Sequence, residues 1–353
     1  MRWLAFIIFI SSFAGICLGG YYYILARLFS FFKLKQNLYF WLLLIVLAFG
    51  YIVFSILERR IPCGIFVFLL RISAIGLGVG WLCLVTLLSH DLLYLIFRFP
   101  ISVSRWAVIA TVVSLSLYSF INAMRLEIKS VHVSAPVDMT IVQLSDIHRG
   151  SVSRRHLRRL IRKTHELKPD VVLITGDLLD PAGDLSPKSL EPLNELQHPV
   201  YWISGNHERY AGLNNVMTLL ESTSIIPLRN KVVQHNGIQL IGIDDSEDRN
   251  QVARILPTLD FDPDSFTILM YHQPEGYNAA AEAGVNLMLS GHTHNGQIWP
   301  FHWVVRARFQ YLRGLHHIGD MVLYISTGSG TWGPPMRLGS RNQITVHHLQ
   351  KND

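Results

Sequence analysis

Four apolar stretches in the first 124 residues constrain this chain more than any other feature, because each is long enough to cross a bilayer as a helix. They run from about Trp3 to Leu25, Leu38 to Leu57, Ile65 to Leu88 and Val103 to Ala123. A hydrocarbon interior offers no water to the backbone, so such segments must satisfy their own N–H and C=O groups, and helices do so. Half of the 353 residues are hydrophobic and only 16% are charged, and the apolar excess is concentrated in this region. The first stretch, with Arg2 as a minimal basic flank, also fits a cleaved signal peptide. Three further spans favour an uncleaved helix. Arg71 lies close enough to the start of the third stretch to snorkel to the interface. Residues Ser89 to Arg98 read either as an interfacial helix or as an extension of the third span.

Four crossings return the chain to its starting side. Arg2, Arg59, Arg60, Arg125 and Lys129 then share the side of the remaining chain, and Arg27, Lys33, Lys35, Arg98 and Arg105 face the other. Five against five gives no orientation by the positive-inside rule. The expectation is a multi-pass integral membrane protein whose C-terminal domain is cytoplasmic. A net charge of +6 suits contact with anionic lipid, and no nucleic-acid-binding motif accompanies it. Cys17, Cys63 and Cys83 all lie in apolar segments, which excludes a disulfide framework in the rest of the chain. The expected division is a membrane region at 1–124, a linker and opening strand at 125–139, and a catalytic domain at 140–353.

From Asp138 onward short apolar runs alternate with helical or loop segments, the pattern of an α/β domain. The run Thr140–Ser145 leads into Asp146-Ile147-His148, and Val171–Thr175 into Gly176-Asp177. Val200–Ser204 leads into Gly205-Asn206-His207-Glu208, Phe266–Tyr271 into His272, and Val285–Ser290 into Gly291-His292-Thr293-His294. Gly237–Ile243, Met321–Ser326 and Asn342–Leu349 are further strand candidates. Each motif alone has an ordinary turn or surface reading. Jointly, five runs each finish with a metal-competent Asp, Asn or His, and in α/β sheets sites form at the carboxyl ends of strands. The spacing therefore brings Asp146, His148, Asp177, Asn206, His272, His292 and His294 to one sheet edge as a metal site.

Read together, these five motifs resemble the calcineurin-like metallophosphoesterases, over roughly Thr140 to the C-terminus. The longer run Leu289–Ile298 and the later Ser326–Gly330 resemble a membrane-attached subgroup that includes multi-span proteins and UDP-diacylglucosamine hydrolases. Glu208 stands where the family more often has Asp. The resemblance implies two stacked β-sheets flanked by helices and two divalent metal ions. Asp146, His148, Asp177 and His294 would hold one ion; Asp177, Asn206, His272 and His292 would hold the other, with Asp177 bridging. Nitrogen and oxygen donors suit Mn above all, then Fe or Zn. It further implies hydrolysis of a phosphodiester or pyrophosphate, lipid-linked substrates included, by metal-activated hydroxide, with His207 steadying charge or protonating the leaving oxygen. The rival is a non-catalytic membrane scaffold or sensor that keeps the fold, which should show gaps in the ligand set; none is present.

Several residues keep two readings. Arg149 could touch a substrate phosphate or be a surface arginine. Asp180 and Asp245 could accept hydrogen bonds from ligand histidines or serve loops. His302, His316, His317, His347 and His348 match no motif and are not expected to be ligands. Between Ser153, a plausible N-cap, and Lys163, the stripe Leu157, Leu160 and Ile161 opposes a densely basic face, either solvated or laid on anionic headgroups. The apolar and basic segment Ile298–Tyr311 is either buried packing or a lip touching lipid. Partners expected are membrane lipid and a phosphoester; oligomeric state is left open.

Overall fold

The computed structural model describes residues 2–61, 63–181 and 185–351. It divides into one unit of Met1–Ile121 with Gly333–Met336, and a second of Asn122–Trp332 with Arg337–Asp353.

The first unit is helical: α1 (Arg2–Phe31), α2 (Leu38–Arg60), α3 (Gly64–Phe97) and α4 (Ile101–Ala123). Each contains a stretch long and apolar enough to cross a membrane. Asn37 starts α2 by accepting the N–H groups of Tyr39 at 3.1 Å and Phe40 at 3.3 Å, groups that a helix start leaves without partners. The Ser89–Phe97 segment is an extension of the third span, because α3 runs unbroken to Phe97 and stops only where Arg98 turns left-handed at φ 48°. Within that extension Asp91 accepts from Arg27 at 2.5 Å and from Tyr23 at 2.7 Å, so the charge is paired. Phe40, Leu44, Leu87 and Val108 are among the side chains that pack the helices together.

The second unit is two six-stranded mixed sheets. The first contains β1 (Leu126–Ser134), β2 (Met139–Leu144), β3 (Val171–Thr175), β4 (Val200–Ile203), β5 (Ile226–Pro227) and, last in the chain, β12 (Asn342–Gln350), in the order β1-β12-β2-β3-β4-β5. The second contains β6 (Lys231–His235), β7 (Ile238–Gly242), β8 (Thr267–Met270), β9 (Leu287–Ser290), β10 (Gly314–Ile318) and β11 (Met321–Ile325), in the order β10-β11-β9-β8-β7-β6. β2 through β5 are parallel, as are β7, β8, β9 and β11. Parallel strands are buried on both faces, which is why their sequences are continuous apolar runs.

Alternation within each run sorts side chains between layers. On β2, Val142 and Leu144 join Leu157, Leu160 and Ile161 of α5 (Arg154–Glu166) on the outer face. Ile141 points the other way and meets Ile238, Ile268 and Leu287 between the sheets. A third cluster, with Leu269, Met288 and Leu323, covers the outer face of the second sheet. The result is the expected pair of stacked sheets flanked by helices. Residues 126–134 are a full strand, Leu126 pairing with Asn342 and Ser134 with Gln350. β5, β6 and β10 lie outside the expected strands. They are short, or carry polar residues such as Lys231, Gln234, His316 and His317, as edge strands do.

Candidate metal centre

The carboxyl ends of β2, β3, β4, β8 and β9 meet at one edge, where the backbone leaves each strand through a turn that holds a polar side chain inward. Asp146, His148, Asp177, His292 and His294 all have left-handed backbones, with φ between 47° and 70°. Non-glycine residues rarely adopt this region, and they concentrate where function over-determines the backbone. The turns hold one another: the N–H of Asp146 donates to Gly176 O at 3.0 Å, and that of His148 to Asp177 O at 2.9 Å. Gly205 and Gly291 are required by close approach, because a Cβ would strike the carboxylate of Asp177 in the first case and of Asp146 in the second.

All seven residues expected at the metal site come together there. His272 Nε2 lies 3.2 Å from both Asp177 Oδ2 and Asn206 Oδ1. His292 Nδ1 lies 2.8 Å from Asn206 Oδ1 and 3.3 Å from His272 Nε2. On the other side, His148 Nε2 faces His294 Nε2 at 3.0 Å, and His294 Nε2 is 3.4 Å from Asp146 Oδ1. Asp177 Oδ2 lies between the groups, 3.8 Å from His148 Nε2. Asp146-His148-His294, Asp177-His272-His292 and, sharing members with both, His148-Asp177-His207 are each compact enough to hold an ion.

The donor chemistry fits divalent cations. His272 donates Nδ1–H to Thr175 O at 2.8 Å, which aims Nε2 at the oxygens of Asp177 and Asn206; burial lowers its pKa, but Asp177 outweighs burial and raises it well above the usual imidazole value, the same carboxylate field that favours a cation there. Lone pairs converging on lone pairs repel unless a cation sits among them. Burial, with a contribution from neighbouring imidazoles, pushes the pKa values of His148 and His292 down to about 3, which keeps both rings in the neutral form that ligates. Burial raises the Asp146 carboxyl to about 6. Two carboxylates and four imidazoles with an amide oxygen match borderline metals rather than Ca or a thiolate-seeking ion.

His207 stands beside this set. Its N–H donates to Asp177 Oδ1 at 2.9 Å, while its ring Nε2 is 4.0 Å from Asp177 Oδ2. Nδ1 points to Asp180 Oδ1 at 3.7 Å. Burial alone would lower its pKa, but Asp177 and Asp180 outweigh burial and carry it up to about 9. The exposed rings of Tyr210 and Trp332 flank it, with centroids at 5.8 and 6.1 Å. Asp180 also lies 3.9 Å from His148 Nδ1 and takes the Ser151 hydroxyl at 2.5 Å, so it faces two histidines. Asp245 instead accepts from Gln273 at 2.7 Å and Arg209 at 3.1 Å and serves its loop.

The surface reading of Arg149 is overturned. The side chain is buried, and its guanidinium donates to Ser189 O at 3.2 Å and Val152 O at 3.1 Å. The loop after β2 folds over it, so the arginine ties that loop to the backbone. His347 is buried against Gln143 at 3.0 Å, away from the site.

Two further residues hold the donors in place: Glu208, the last residue of the Gly205–Glu208 motif, and Arg337, which belongs to no motif. Glu208 is fully buried, and its carboxylate accepts the N–H groups of Asp177, Leu179 and Gly205 at 3.0, 2.8 and 2.7 Å. Arg337 is also fully buried. It donates to His294 O at 3.1 Å, Gly330 O at 2.5 Å and Asn342 Oδ1 at 3.0 Å, and its Nη2 lies 3.1 Å from His294 Nδ1. Among the described residues no carboxylate is hydrogen-bonded to it, and its bonds make it a structural cradle for the His294 turn.

Residues 139–296 match the calcineurin-like phosphoesterase family. A metallophosphoesterase of Aquifex aeolicus is 30% identical over 238 residues, which is 64% of this chain and 91% of that protein. The chain belongs to the metallophosphoesterases. Members of this family use a pair of divalent metals, and the donor groups of this metallophosphoesterase offer places for them. A metallophosphoesterase of Helicobacter pylori is 34% identical over 222 residues, 60% of each chain. A bovine (Bos taurus) relative, named a transmembrane protein with metallophosphoesterase domain, is 36% identical over 236 residues, 60% of this chain and 53% of that one. This metallophosphoesterase thus spans about three fifths of the length of the first curated relatives it matches.

Proposed function

We propose that this chain is a membrane-anchored hydrolase of a phosphodiester or pyrophosphate, with a lipid-linked phosphoester of the UDP-diacylglucosamine type as its substrate class. The observation that carries this reading is the convergence of seven buried or half-buried donors, lone pair to lone pair, on one sheet edge. Asp146, His148, Asp177 and His294 would hold one divalent ion, and Asp177, Asn206, His272 and His292 the other. Mn is the proposed occupant, with Fe or Zn as alternatives. When bound, such a pair supplies Lewis acidity that polarises a phosphoryl oxygen and activates water.

The protein's own groups do the rest. His207 holds a proton on its ring beside Asp177 and Asp180, and delivers it to the leaving oxygen. Asp180 keeps the ring oriented through Nδ1. Trp332 and Tyr210 flank His207 with exposed aromatic surface on which a substrate could lie. The lipid-linked class is supported by where the polypeptide joins the second unit. β1 starts at Leu126, three residues after the end of α4, and pairs there with the first residue of β12. β12 runs antiparallel to β2, so its first residues lie near the end of β2 that leads to Asp146. The start of β1 therefore lies toward the ligand edge, a few residues after the last apolar helix in the sequence. In this reading residues 1–124 form the membrane region, the four helices cross the bilayer, and residues 140–353 form a catalytic domain on the cytoplasmic side. Protease access in sealed vesicles checks that side.

The test is hydrolysis of a generic aryl phosphodiester by the full chain in detergent with added Mn, alongside His207→Ala. Turnover that depends on metal and falls in the variant is expected. No turnover on that ester or on lipid-linked pyrophosphates, in a protein purified without metal, would leave the scaffold reading instead.

A further inference from the structure

We infer that the second unit docks on anionic phospholipid headgroups through the basic face of α5, with the aromatic turn after the last ligands as the other flank of the same surface. The reading is independent of the hydrolase proposal.

α5 is strongly two-faced. Leu157, Leu160 and Ile161 are buried against the first sheet, while Arg155, Arg158, Arg159 and Arg162 are exposed on the opposite side. Among the described residues neither Arg155 nor Arg158 is paired with a carboxylate. An exposed arginine row on a globular surface is ordinarily a solvated face. Here its position argues otherwise. Arg159 donates to the carbonyl of Met124, the residue immediately after α4. The basic face therefore touches the chain one residue past its last membrane-competent helix, and the anions met at the end of such a helix are headgroup phosphates.

A second segment joined to residues 122–124 is also built for an interface. Asn122 donates to Arg337 O at 3.0 Å and Ser340 O at 2.8 Å, which ties the 337–340 segment to the end of α4. Leu338 in turn pairs with Ile298 and accepts the N–H of Trp299 at 2.8 Å. Beyond it, Trp299 is 47% exposed, Phe301 40% and Trp303 62%, and Arg306 is exposed at the end of the one-turn helix His302–Arg306. Of the two readings of this segment, the lip is the one its exposure supports. Tryptophan with arginine is the composition that partitions to the headgroup region. Residues 122–124 thus contact Arg159 of α5 and the 337–340 segment, which in turn pairs with the start of the indole-bearing turn. Charge and aromatic character both name the same occupant, a lipid surface with negative charge.

The experiment places the full chain in nanodiscs of neutral lipid or of lipid with about 30% anionic headgroups, each doped with a headgroup-borne photo-crosslinker. Crosslinked peptides are mapped by mass spectrometry, with those at the ends of the four apolar helices as the internal reference. Crosslinks to α5 and to 299–306 are expected, those to α5 at least about threefold stronger in anionic discs and suppressed by about 1 M salt. Arg155→Glu/Arg158→Glu/Arg162→Glu should remove the α5 crosslinks and leave the reference unchanged. The milder Arg→Gln triple variant gives the same direction if the reversal fails to fold. Crosslinks confined to the helix ends, or α5 labelling equal in neutral and anionic discs, overturn the inference. So does capture of α5 by an acidic protein with no lipid crosslink.

Discussion

Glu208 Oε2 accepts the backbone N–H of Asp177 at 3.0 Å and that of Gly205 at 2.7 Å. One carboxylate oxygen therefore joins the turn after β3 to the turn after β4, and with them the central donor Asp177 to the donor Asn206. Glu208 itself is fully buried beneath the donors.

Glu208→Gln tests that link. The amide keeps the shape but turns one acceptor oxygen into a donor that faces an N–H. Leaving a buried donor without its acceptor costs about 1–3 kcal/mol. The expected outcome is a lower thermal midpoint for the full chain in detergent, together with weaker metal retention. A variant as stable and as metal-retentive as the parent would contradict the bridging role.

Arg337→Lys probes the cradle under His294. Lysine keeps the charge but cannot make the forked set of bonds to His294 O, Gly330 O and Asn342. Loss of a group that orients a ligand costs about 10–100-fold in metal affinity. Titration of metal into stripped protein, followed by isothermal calorimetry, should show that loss for one ion and little change for the other. Equal weakening of both would mean that the substitution damages the fold.

How far the site could be read from sequence follows from where the information lies. Asp146, His148, Asp177, Asn206, His272, His292 and His294 follow apolar runs directly, so the alternation of runs and polar tips marks them. β2, β3, β4, β8 and β9 are buried on both faces and announce themselves as continuous apolar stretches. β6 and β10 lie at edges, keep polar residues, and give no such signal. Arg337 lies more than forty residues after His294, about the separation of their bonded pair, and only folding brings them together. For Arg149 the sequence allows a phosphate contact or a surface position, and arginine is usually exposed. Nothing in its local sequence says that the loop closes over it.

His207→Ala should separate chemistry from metal binding. The ring sits beside the donor set at 4.0 Å from Asp177 Oδ2 rather than within the two donor clusters of the proposed ions. Metal content should stay at the parental value, while kcat on an activated phosphodiester falls by about 10²–10⁴. The fall should be smaller for esters whose leaving group needs no proton. Equal loss for good and poor leaving groups would assign His207 to something other than proton delivery.

His347 sets a pH limit on stability. Burial, with His348 nearby, lowers its pKa to about 3 in the folded chain, against about 6.5 when unfolded. Between those values the unfolded chain binds a proton that the folded chain refuses. Stability therefore falls by up to about 1.4 kcal/mol per unit as pH drops through that window, and His347 contributes no slope above about pH 6.5. Thermal midpoints of wild type and His347→Gln from about pH 7 to about pH 4.5 should diverge, with the variant's curve flatter. Parallel curves would contradict the assignment.

The central claim is that one sheet edge holds two metal ions through Asp177. The most direct measurement is the metal-to-protein ratio of the purified full chain by elemental analysis, in wild type and in Asp177→Asn. About two ions per wild-type chain, and loss of both sites in the variant, is the predicted result. A wild-type chain that takes up no divalent metal when Mn, Fe or Zn is supplied, or an Asp177→Asn variant that keeps a full complement, would contradict it.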